Sequence, residues 1–173
     1  MLNARENLEA VITNGKPDRY ANNYEGLIIM MNPYYLPNHS PLCTPGEPPI
    51  KDEWGISWVF PAGQLGQWPI HDEEHVVIKD FADWKQYVKA PKADYSEADW
   101  DVFREDYRNF DRSKALLATF YNPGLLEMTH HLGSIDEALM ACLSDTDEMV
   151  ELVKYIKEFE LKQAEGICAN LKP

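Results

Sequence analysis

Acidic and aromatic side chains crowd the segment Lys51 to Pro61, KDEWGISWVFP. Two adjacent carboxylates, Asp52 and Glu53, and two tryptophans, Trp54 and Trp58, flank Gly55, and an apolar run from Ile56 to Phe60 follows. Such a grouping at the end of a buried strand suits a pocket for a small ligand with polar and aromatic parts, because the rings supply contact area and the acids fix orientation. The same residues also fit a hairpin whose tryptophans fill core while its acids face water. A second group is Glu127-Met128-Thr129-His130-His131, which follows the apolar run Ala115 to Tyr121 and the turn Asn122-Pro123-Gly124. Imidazoles there could act as general acid or base, donate hydrogen bonds or bind a metal. Neighbours on a helix point about 100° apart, so at most one of the two histidines is expected to face a pocket. The alternative is that both are partly buried and satisfied by backbone.

Two further groupings carry less. His71-Asp72-Glu73-Glu74-His75 places histidines at i and i+4 with acids between them. It lacks the H-E-x-x-H order of a helical zinc site, follows Pro69 and leads into Val76 to Ile78, which favours a solvated loop over a metal site. Cys43 has His39 four residues before it, but nucleophile and base normally meet in space rather than in sequence. There is no glycine-rich phosphate loop, no nucleophile elbow and no paired-cysteine zinc site.

The elements that must position these residues can be read from caps and periodicity. Asn3-Ala4-Arg5-Glu6 forms a capping box for a short helix that stops at Gly15. Asp80 caps a helix carrying Phe81, Trp84, Tyr87 and Val88, and Ser96 opens a polar helix to about Phe110. Ser134-Ile135-Asp136-Glu137 precedes a helix to Leu143. The longest helix runs from Asp145 to Asn170, with Met149, Leu152, Ile156, Phe159 and Ile167 on one face. Gly26 to Met31 and Ala115 to Tyr121 are near-continuous apolar runs of the kind found in parallel strands buried on both faces; Ile56 to Phe60 is a third and Val76 to Ile78 a weaker fourth. Strands separated by helices and long loops predict an α/β protein with a parallel sheet. The proline-rich stretch Asn32 to Pro49 reads as a functional loop or lid.

A chain of 173 residues with 45% hydrophobic and 12% aromatic content has enough apolar surface for one globular domain, residues 1–173. The formal charge of −13 opposes binding to nucleic acid or anionic lipid, both of which need a basic footprint. A small molecule or another protein is the expected partner. Three widely spaced cysteines and no secretory h-region fit free thiols in the cytoplasm. The chain reaches Asn170-Leu171-Lys172-Pro173 after a long amphipathic helix, where a βαβ series would lead into another strand. Expected from this is an N-terminal portion of a larger protein, or an oligomer or complementing chain that covers an open sheet edge.

In order and spacing, NARENLEAVITNGKPDRY, DEWGISWVFP, VVIKDFADWKQYVKAP and GSIDEALMACLSDTDEMVELVKYI resemble the uroporphyrinogen decarboxylase superfamily. The closest likeness is to its corrinoid-linked methyltransferase and O-demethylase branch. The resemblance spans nearly the whole chain and about the first half of that family's barrel. It implies the N-terminal part of a (β/α)8 TIM-type barrel, incomplete in this chain, with a site at the carboxyl ends of the strands. Where true decarboxylases carry a Met-Arg-Gln-Ala-Gly-Arg loop, this chain has Met30-Met31-Asn32-Pro33-Tyr34-Tyr35-Leu36-Pro37. Without arginines a tetra-acid porphyrinogen could not be neutralised. The family's aspartate falls at Asp52 or Glu53, and its Thr-Tyr pair at Thr129-His130. The resemblance thus implies His130 and Glu53 as catalytic groups, with Asn32, Tyr34, Asp52, Trp54 and Tyr121 lining the substrate end. The implied activity moves a methyl group between a small methylated or methoxylated substrate and a corrinoid protein; alternatives are a decarboxylase of the same superfamily or a non-catalytic assembly module. The branch holds zinc through a His-x-Cys and a distant Cys in its second half. No zinc ligand is therefore assigned here, and no cofactor is expected on this chain alone, zinc and a corrinoid partner being implied for the complete family member.

Overall fold

Side-chain caps start the helices where the sequence places them. In the computed structural model, which describes residues 1–22, 24–35, 42–120 and 124–173, Asn3 and Glu6 close a reciprocal capping box on α1 (Ala4–Ile12). Ser96 and Asp99 do the same on α2 (Glu97–Asn109). Asp80 accepts from the Ala82 amide at the head of a 3-10 helix, Phe81–Gln86. Helices α3 (Leu125–Leu132), α4 (Ile135–Ser144) and α5 (Thr146–Asn170) complete the helical part. The strands are β1 (Leu27–Met30), β2 (Ile50–Lys51), β3 (Ser57–Val59), β4 (Trp68–Pro69) and β5 (Leu116–Thr119). The chain is a mixed α/β protein with a small parallel sheet and helices. Among the described residues no helix is long and apolar enough to cross a membrane.

The chain divides into two compact units, the first made of Met1–Pro33, Ser96–Phe120 and Gly166–Pro173. Here β1 pairs in parallel with β5, Leu27 opposite Leu116 and Met30 opposite Thr119. A parallel partner needs a crossover between the strands, which is why two apolar runs so far apart in sequence can be neighbours. Tyr107 of α2 is buried and donates from its hydroxyl to the Met31 carbonyl (3.0 Å), fixing the helix to the end of β1. The chain enters β1 through Gly26 at φ +73°, and a Cβ there would lie 2.5 Å from the Ala4 carbonyl oxygen. Only glycine fits so close an approach in a left-handed conformation. In α1 the apolar Val11 and Ile12 are exposed, and the fully buried residue is Asn7. Its side chain donates to the Arg19 carbonyl and accepts from the Asp18 amide, so α1 is held by polar contacts to the following loop.

The second unit comprises Tyr34–Tyr95 and Tyr121–Glu165. Its core gathers Trp54, Ile56 and Trp58 from the β2–β3 region, Phe81 and Trp84 from the 3-10 helix, Met128 and Leu132 from α3, and Leu152, Ile156 and Phe159 from α5. Each such side chain stabilises the fold by about 1.5–3 kcal/mol on burial. The expectation for Ile56 to Phe60 is corrected here. Instead of adding to the parallel sheet, β3 forms an antiparallel three-stranded sheet with β2 and β4. The reason is local: Asp52 to Gly55 is a tight turn, with Gly55 at φ +85°, and so short a connection can join only antiparallel strands. Nor does Val76 to Ile78 form a strand. The Val77 and Ile78 amides both donate to the Leu132 carbonyl (2.9 Å each), satisfying an orphan acceptor at the end of α3. That loop therefore docks on the histidine-bearing helix.

Candidate functional site

The hairpin turn is organised by Asp52. Its Oδ1 accepts from the Trp54 and Ile56 amides and its Oδ2 from the Trp58 indole Nε1, each at 2.9 Å. Burial pushes this carboxyl up to about 6 from its ordinary value of 3.8, against the pull of the N–H donors, which favour the ionised form. Asp52 thus spends both oxygens on the turn, whereas Glu53 at the same tip is exposed. Trp54 lies in the core, edge-on to Phe159 at 5.0 Å, with its indole Nε1 buried and without a partner.

Helix α3 brings the second group into contact with this hairpin. The His131 ring stands edge-on to Trp58, centroids 5.0 Å apart, and His130 is 4.5 Å from His131. Asp52, Trp58, His131 and His130 therefore form one contiguous chain of polar and aromatic groups. Within one turn of the helix, Glu127 Oε2 stands 3.4 Å from His130 Nε2. Glu127, His130 and His131 each offer one donor atom, and all three atoms lie within 4.8 Å of one another. The rings also sit in the last turn of α3, where the helix dipole favours positive charge. A third imidazole joins from the loop after β4: His71 lies 6.0 Å from His130, ring to ring. Burial holds the His71 imidazole below its usual range, and the neighbouring His130 acts in the same direction. The i, i+4 relation of His71 to His75 is thus not the one the fold uses, since His75 Nδ1 pairs with Asp72 Oδ1 at 2.6 Å.

Asn32 belongs to the first unit, just past the carboxyl end of β1. Its Nδ2 donates to Thr119 Oγ1 (2.9 Å) and to the Phe120 carbonyl (2.6 Å), and Thr119 Oγ1 donates to the Met30 carbonyl (3.1 Å). These bonds lock the carboxyl ends of the parallel strands together. Beside them Met30, Met31, Phe103, Asp106, Tyr107 and Phe110 line a cavity of about 530 Å³. In the second unit Tyr34 is buried, donates to the Ala93 carbonyl (2.8 Å) and packs edge-on against Tyr95. Burial raises its hydroxyl to about 12. Tyr121 lies outside the described residues, as does His39 in the proline-rich loop.

Of the residues singled out from sequence, the fold brings Asp52 and Trp54 to one hairpin and links that hairpin through Trp58 to His131 and His130. Sequence reasoning missed His71 and Trp58 as members of the group. Trp58 carried a usable signal, being two residues on from Ile56 on the same strand face; nothing in the sequence joined His71 to His130.

The resemblance assigns no zinc ligand to this chain. Cys142 and Cys168 are exposed, Cys43 is half-buried, and among the described residues the one cluster with metal-ligand spacing holds no sulfur. No protein-family model matches the chain, and no match to it was found among curated proteins or solved structures.

Proposed function

We propose that this chain is the N-terminal part of a uroporphyrinogen-decarboxylase-like barrel enzyme that moves a methyl group from a small methylated or methoxylated compound to a corrinoid protein. The observation that carries this reading is the convergence of Glu127, His130 and His131 at the end of α3, with His71 beside them. As the methyl group leaves, its bond to oxygen breaks and that oxygen keeps the electron pair, while the acceptor on the partner protein would supply the pair for the new bond to the methyl carbon. Negative charge grows on the departing oxygen, and donors held in place beforehand stabilise it without reorganisation. The cluster of Glu127, His130 and His131 meets that oxygen. Exposed Glu53 offers a further hydrogen-bonding group to the substrate.

The parallel pairing of β1 with β5 supports the barrel reading, since it joins two strands through a crossover containing helix α2. Asn32 would then stand where barrel enzymes place their sites, at the carboxyl ends of the strands. The remaining strands would come from further polypeptide or from a second copy, and the net charge and free cysteines suit a cytoplasmic setting.

The test is methyl transfer to a reduced corrinoid protein, followed by the corrinoid absorption spectrum, with a panel of methoxylated aromatics as donors. Transfer from at least one donor, lowered about 10²- to 10³-fold by His130→Gln, is the expected result. Transfer that His130→Gln leaves unchanged, or none from any donor, would refute the reading.

A further inference from the structure

We infer that Glu127, His130 and His131 form a binding site for a divalent transition-metal ion of the zinc type, held by nitrogen and oxygen rather than by sulfur. Zinc takes imidazole nitrogen and carboxylate oxygen at about 2.0–2.2 Å, which for a tetrahedral ion spaces the donors about 3.4 Å apart. Glu127 Oε2 and His130 Nε2 already stand 3.4 Å apart, too long for a good hydrogen bond and equal to that tetrahedral edge. The third donor, from His131, lies within 4.8 Å of the other two, so side-chain shifts of up to about 1.4 Å close the set.

Three further observations point the same way. The candidate ligand nitrogen of His130, Nε2, has only the long approach to Glu127. The site's two imidazoles also sit in the last turn of an eight-residue helix, where the partial negative charge of the carbonyl end attracts a cation. Lastly, Trp58 packs edge-on against His131, an apolar wall that restricts how that ring can turn. Two imidazoles and one carboxylate are a ligand set that zinc accepts, and three protein ligands leave a fourth position open for water or a substrate oxygen. His71 stands 6.0 Å from His130, ring to ring, and is not required as a ligand.

Zinc binding by the metal-free chain tests the inference, by calorimetry and by the visible spectrum with cobalt as substitute; it reads metal alone and does not depend on methyl transfer. One ion per chain is expected, with a four- or five-coordinate cobalt spectrum lacking thiolate charge transfer. Glu127 is exposed, so Glu127→Gln should keep the native circular dichroism yet weaken zinc by about tenfold or more. His130→Gln should weaken it further, and His75→Gln should leave it unchanged. No stoichiometric zinc would overturn the inference. So would binding that survives both Glu127→Gln and His130→Gln, or that is lost in a variant lacking Cys142 and Cys168.

Discussion

At the scale of single residues, Asp52 shows how one side chain can be both a plausible ligand group and a structural one. Its two oxygens take three N–H donors, and the price is a buried carboxyl. Because its folded value is raised to about 6 from 3.8, the unfolded chain binds fewer protons between those limits, and stability falls as pH rises from about 4 to about 6. Above that range the burial penalty persists in full. Asp52→Asn should flatten this slope in denaturant titrations run across the same pH range. The same variant should lose about 1–3 kcal/mol at low pH, because the amide that replaces Oδ2 faces the Trp58 N–H with a donor of its own. An unaltered pH slope in the variant would show that some other group titrates. Residue identity was legible from sequence here and residue role was not. The pattern Asp-Glu-Trp-Gly announced both a turn and a pocket, and the bond from Trp58 that ties the turn together was not legible in it.

At the scale of elements, local signals did well where the cause was local. The caps at Asn3, Asp80, Ser96 and Ser134 start helices because a side-chain oxygen meets an otherwise orphaned amide nearby in sequence. The direction of β3 was not legible in its own apolar run, since Ile56 to Phe60 reads alike in either orientation; the four-residue turn before it decided the matter. Packing likewise overrode pattern in α1, which buries Asn7 rather than Val11 and Ile12, and in α4, where Ile135, Leu139 and Leu143 are exposed. The junction between α1 and β1 gives a sharp test. Gly26→Ala forces a Cβ to within 2.5 Å of the Ala4 carbonyl oxygen and places alanine at φ +73°. The left-handed conformation alone costs about 1–2 kcal/mol, and the backbone clash adds to it, so thermal unfolding should shift down by several degrees. An unchanged midpoint would mean that the α1–β1 junction relaxes freely.

At the scale of the whole molecule, the fold supplies among the described residues a place where titratable groups converge, Glu127, His130 and His131 with His71 beside them. That place was only half visible beforehand: His130 and His131 stood out by adjacency, while His71 and Trp58 arrive from distant parts of the chain and could be joined to them only by folding. The central claim, that the imidazoles at the end of α3 receive a methylated small molecule, is most directly tested by nuclear magnetic resonance. The chain would be titrated with a methoxylated aromatic while the ring C–H signals of its histidines are followed. Saturable shifts of His130, His131 and His71, with His75 unmoved, are the result expected. Shifts confined to His75, or none at saturating ligand, would contradict it.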